Sequence, residues 1–152
     1  MATTTFTGPI TAGPILDTSG STVGTNVANV GTVILGQIDT SVTQTSAAQS
    51  TNIVIPAGST IVSIELFVTT IWDGTASTLT VGTSSTATEL ATAVAGGTVG
   101  RIVVTPGTDA TRTNKWLNVG TNDVQIYLKS ANDGNGVGQL VVRYIQGPNN
   151  ID

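Results

Sequence analysis

Imidazole, thiol and paired carboxylates carry most protein chemistry, and this chain is poor in all three. It has no histidine, no cysteine and nine acids. Ser–His–Asp and Cys–His nucleophile systems are therefore excluded, as is zinc held by imidazole or thiolate. A carboxylate pair acting on a glycosidic bond is the one hydrolytic option left. The acids, however, lie mostly in turn sequences (Asp17, Asp73, Asp109, Asp133) or where strands should end (Asp39, Asp123), and there Asp is an ordinary turn former. Gly96-Gly97 and the glycines of 134–138 precede β-rich sequence rather than a helix start, so neither makes a phosphate loop. The residues point to a chain without catalytic centre, cofactor or metal.

Two weaker constellations bear on binding. Asn132-Asp133-Gly134-Asn135-Gly136 gathers side-chain oxygens as a calcium loop does, but it holds one carboxylate and lacks the later Glu of an EF-hand, so a turn joining two strands is the simpler reading. Trp72, Trp116, Tyr127 and Tyr144 would stack on a sugar if they shared a surface, although Trp72 beside Asp73-Gly74 reads equally well as a core or sheet-end residue. The five cations, Arg101, Arg112, Lys115, Lys129 and Arg143, are dispersed and the net charge is −4, so no nucleic-acid partner is expected. No apolar run approaches the ~20 residues of a spanning helix. The opening residues 1–6 lack the cationic and apolar regions of a signal peptide, which leads us to expect no membrane partner and synthesis in a cytoplasm.

The elements that must position any such residue are β-strands. Only 9% of the chain is charged, and 29 threonines fill the space that charge usually occupies. Threonine is β-branched and suits a pleated surface, which its hydroxyl keeps hydrated without charge. Residues 123–129 alternate cleanly, with Val124, Ile126 and Leu128 on one face. In 61–68 the even positions are apolar while Ser63 and Glu65 interrupt the odd ones. That strand should cross the core, with Glu65 pointing outward or towards a partner. Leu140 and Val142 complete the expected core with Ile64, Leu66 and Val68.

Eight strands are expected, over 32–38, 51–55, 60–70, 77–81, 98–105, 115–119, 123–129 and 137–146, with one helical turn over 86–94. Turns over 56–59 and at Asp73-Gly74 separate them. Their spacing suggests an all-β sandwich, an eight-stranded jelly roll first and an immunoglobulin-like sandwich second. Residues 1–29, broken by Gly8-Pro9, Gly13-Pro14, Ser19-Gly20 and Gly24, read as an extended N-terminal arm ahead of a sandwich domain over 30–152. Its apolar residues Phe6, Ile10, Ile15 and Leu16 are too sparse for a core and are the candidate contacts to a capsid or a neighbouring subunit.

Five runs carry a family likeness: Ile53-Val54-Ile55-Pro56-Ala57-Gly58-Ser59, Ser63-Ile64-Glu65-Leu66-Phe67-Val68-Thr69-Thr70, Trp72-x-Gly74, Thr78-Leu79-Thr80-Val81-Gly82-Thr83 and Val142-Arg143-Tyr144-Ile145-Gln146. Together with the Thr-rich opening, they resemble the capsid decoration or cement proteins of tailed bacteriophages with HK97-type heads. The resemblance implies a β-sandwich, commonly a homotrimer, bound non-covalently to the major capsid protein on the outer surface of the virion at three-fold or quasi-three-fold positions. It brings no catalytic residue with it. A phage head-fibre, tail or receptor- or glycan-binding β-sandwich module is the alternative, and it should display an aromatic-lined cleft.

Overall fold

In the computed structural model, residues 34–146 are described; Phe6, Ile10, Ile15 and Leu16 of the expected arm lie outside them. The chain runs β1 (Ile34–Thr43), β2 (Gln49–Ile55), β3 (Thr60–Thr70), β4 (Thr78–Gly82), β5 (Ala91–Ala95), β6 (Gly100–Val104), α1 (Ala110–Leu117), β7 (Val124–Ser130) and β8 (Val137–Gln146). Two antiparallel four-stranded sheets result, ordered β1-β8-β3-β6 and β2-β7-β4-β5. We call them sheets A and B. The described residues form a β-sandwich with one short helix, as the composition implies.

The pairings nest. β1 joins β8, β2 joins β7, β3 joins β6 and β4 joins β5, so only β4 and β5 are both paired and adjacent in sequence. Alternation then decides which side chains go inside. Val42, Ile64, Leu66, Val68, Leu140 and Val142 of sheet A share one buried core with Ile53, Ile55, Leu79, Val81, Ile126 and Leu128 of sheet B. Each such side chain contributes roughly 1.5–3 kcal/mol on leaving water. Of the expected core positions only Val124 is incompletely buried, and it packs against the margin of the cluster.

Four local expectations are corrected. Residues 86–94 are not helical: Leu90 N–H donates to Val81 O at 3.0 Å, and the chain continues into β5. Residues 115–119 are not a strand, because Asp109 caps a helix there, its Oδ1 accepting from Arg112 N–H at 3.0 Å. The Asn132–Gly136 loop does not close a hairpin, since β7 lies in sheet B and β8 in sheet A. Val62, an apolar even position of β3 outside the expected core set, is 49% exposed, because a β-bulge between Ile61 and Ser63 turns Ile61 inward. β1 also runs on past Asp39, which was expected to end a strand.

The crossings between sheets are clasped by one side chain. Buried Gln44 donates from Nε2 to Asp73 O at 2.8 Å, and its Oε1 accepts from Asp73 N–H at 3.0 Å and Gly136 N–H at 3.1 Å. Trp72 fills the same end of the core, 1% exposed, and donates from Nε1 to Ser130 Oγ at 2.8 Å. Gly136 is glycine for want of room: a Cβ there would lie 2.7 Å from the Trp72 ring.

Leu66→Ala and Ile126→Ala should each lower unfolding free energy by ~2–5 kcal/mol in urea titrations, whereas truncating exposed Val62 should cost under ~1 kcal/mol. Equal losses at all three positions would contradict the bulge register.

Candidate functional site

The outer face of sheet A carries the densest polar arrangement. Its register sets rows across the strands: Gln37, Arg143 and Ser63; Asp39, Val141, Glu65 and Val103; then Ser41, Gln139, Phe67 and Arg101. Glu65, expected to face solvent or a partner, does leave the core but is only 3% exposed. Its Oε1 accepts from Arg101 Nη2 at 2.6 Å and from Arg143 Nη1 at 2.9 Å. Arg143 also donates to Ser63 Oγ at 3.3 Å and to Gln37 Oε1 at 2.8 Å. The hydrogen bond from Arg101, reinforced by the charge of both arginines, outweighs desolvation and holds the Glu65 carboxyl below its ordinary range. At the sheet edge Gln139 donates to Asp39 Oδ2.

The face thus pairs both of its cations within the chain, holds Asp39 on the Gln139 amide, and leaves apolar surface between them. Val103 is 55% exposed, and Leu35, Val137 and Ile145 are exposed on the same side. Sequence reading missed this constellation. Its one visible signal is an acid at an odd position of the most apolar strand, Glu65.

A second feature is a cleft of about 630 Å³ between helix α1 and the β4–β5 connection, lined by Thr83, Thr88, Glu89, Arg112, Asn114 and Lys115 among others. Arg112 Nε donates to Thr88 O at 3.0 Å, tying the helix to that connection. Glu89 organises the loop. Its carboxylate accepts from Ser84 Oγ, Thr86 Oγ1 at 2.7 Å, Thr83 N–H at 3.0 Å and Thr88 N–H at 3.1 Å. Burial alone would raise its pKa, but these donors overcome burial and bring it down from 4.5 to about 2.

The residues proposed from sequence for ligand binding are otherwise employed. Asp133 Oδ1 accepts from Ser46 N–H at 2.6 Å and Thr45 Oγ1 at 3.1 Å, and Asp73 accepts from Asn135, so both carboxylates staple loops. Among the described residues no three acids gather into a metal-holding group. The four aromatics form no platform. Trp72 is core, and Trp116 is partly buried with its Nε1 on Leu90 O at 3.0 Å. Tyr127 and Tyr144 belong to different sheets.

No family model matches this chain, and no curated protein matches it. Among solved structures it is similar to a chain of the cyanophage Pam1 capsid asymmetric unit, with 22% identity over 93% of this chain and all of that one, at a TM-score of 0.46. The geometry of the faces and cleft therefore stands on the residues described above.

Because the Glu89 pKa is depressed on folding, its contribution is present above pH ~4.5 and is lost as pH falls through about 2. At most about 3 kcal/mol is at stake before solvent screening reduces it. Urea midpoints of Glu89→Gln should fall less steeply than wild type over that window; parallel curves would remove Glu89 from this role. Millimolar calcium, or a chelator, should leave the melting temperature unchanged, and a calcium-dependent rise would reinstate the Asp133 loop as a site.

Proposed function

We propose that this chain is a structural virion protein, a capsid decoration or cement protein that assembles as a homotrimer. It binds the major capsid protein on the outer surface of a phage head and stabilises contacts between neighbouring subunits there. One observation carries the reading. The five runs that resemble decoration proteins are framework: they supply the end of β2 and its crossing, most of β3, the Trp72 plug, β4 and the end of β8. A resemblance held by core strands and sheet crossings concerns the whole sandwich rather than scattered surface positions. The nested strand pairing supports the further reading of the sandwich as a jelly roll, two long antiparallel turns of chain wrapped together.

Surface chemistry supports it too. A face of serine, glutamine and valine, with both of its cations already paired, makes broad hydrogen-bonded contacts at little desolvation cost. Many copies on one shell add such contacts by multivalency and so resist pressure from packaged DNA. In this reading residues 1–29, carrying Phe6, Ile10, Ile15 and Leu16, form the arm that reaches a neighbour. Ordering such an arm costs roughly 1–2 kcal/mol per residue in backbone entropy, which the neighbour's contacts must offset.

The alternative is a fibre, tail or receptor- or glycan-binding module. The α1 cleft, lined by Thr88, Arg112 and Asn114 among others, would be its binding surface.

Co-sedimentation with undecorated phage shells separates the two. The full chain should bind shells saturably, and deleting residues 2–18 should leave the sandwich folded while weakening trimerisation or shell binding. A chain that stays monomeric and ignores every shell offered, yet shows saturable shifts of Asn114 on titration with oligosaccharides, would select the alternative.

A further inference from the structure

We propose that the outer face of sheet A is a docking surface for a second copy of this chain, related to the first by a two-fold axis. The inference concerns this face alone and holds whether or not the chain decorates a capsid. Three observations point to it.

The first is the distribution of charge. Asp39 stands on edge strand β1 and Arg101 on the opposite edge strand β6, one residue row apart along the strands. A two-fold axis lying in the face, parallel to the strands and between β8 and β3, places β1 of each copy over β6 of the other. Asp39 of one copy then meets Arg101 of its partner, twice. Arg101 spends one Nη on Glu65 and is still 56% exposed, so the rest of its planar fork is open to a partner carboxylate. A surface that is its own complement in this way is what an isologous contact needs.

The second is desolvation. Two of the five cations of the chain lie on this face, and both donate to the buried Glu65 carboxylate. Covering the face therefore leaves neither cation unpaired, and Asp39, held within the chain by the Gln139 amide, gains the partner's Arg101, the condition that makes burial of charge tolerable. Between the charged edges stand Phe67, Val141 and half-exposed Val103, an apolar strip under which the ion pairs are already satisfied.

The third is area. Strands β1, β8, β3 and β6 span 10, 10, 11 and 5 residues; at ~3.4 Å per residue and ~4.8 Å spacing they offer roughly 590 Å² in plan before side-chain relief, against the ~800 Å² per partner of a stable interface. The outer face of sheet B is smaller, because its four strands β2, β7, β4 and β5 span only 7, 7, 5 and 5 residues.

Sedimentation equilibrium of the full chain tests this with three single variants. Val103→Glu and Asp39→Lys should each weaken one association step at least about tenfold, while Val54→Glu, at an exposed position on the outer face of sheet B, should not. Urea midpoints of all three should match wild type, since none of these side chains is in the core. If the proposed trimer also exists, the two sheet A variants leave trimers; if it does not, they leave monomers. Failure of the trimer and failure of this face are thereby separate results. Unchanged association in Val103→Glu, or equal disruption by Val54→Glu, would overturn the proposal, as would a wild-type chain that remains monomeric. Loss of shell binding without any change in self-association would assign the face to a capsid partner instead.

Discussion

Everything in this molecule depends on the nested pairing of strands distant in sequence. The first strand needs the last, the second needs the seventh and the third needs the sixth, and only the innermost pair closes locally. Among the described residues no main-chain ladder joins the two sheets, so their association rests on the apolar side chains that alternation directs inward. Closing such long loops before most native contacts form is entropically costly, which places the chain among slowly folding, high-contact-order topologies. It also forces nearly every connection to cross from one sheet to the other. The Gln44 clasp, the Trp72 plug and the glycines that give them room are local answers to that demand.

The same pairing creates the outer surface of sheet A. Glu65, Arg101 and Arg143 lie 36 and 78 residues apart, and only the order β8-β3-β6 brings them side by side. An acid between two arginines then lets a largely uncharged sheet keep both of its cations paired. Such a face tolerates being covered. That property follows from composition: replacing charge by threonine lowers the repulsion and desolvation cost of covering a surface.

Much of the architecture was legible because alternation is a local signal. Val124, Ile126 and Leu128 announced β7, and the run from Thr60 to Thr70 announced β3. What escaped were features set by interactions outside the local pattern. The bulge at Val62 leaves composition unchanged while altering which neighbours lie inside. Glu89-Leu90-Ala91 reads as helix until the Glu89 carboxylate is spent on four donors of its own loop, and Lys115-Trp116-Leu117 reads as strand unless Asp109 is recognised as a cap three residues ahead of Arg112. The ion cluster of sheet A was invisible for a different reason, since strand order is not written in any one segment. Trp72 and Trp116, candidate stacking residues by type, were claimed by the core and by a backbone carbonyl.

Electron cryomicroscopy of phage heads assembled with and without this chain tests the central claim most directly. The expected result is added density the size of this sandwich on the outside of the shell, at three-fold or quasi-three-fold positions and touching more than one capsid subunit. Identical heads in the two preparations, or density confined to a tail or fibre, would contradict it.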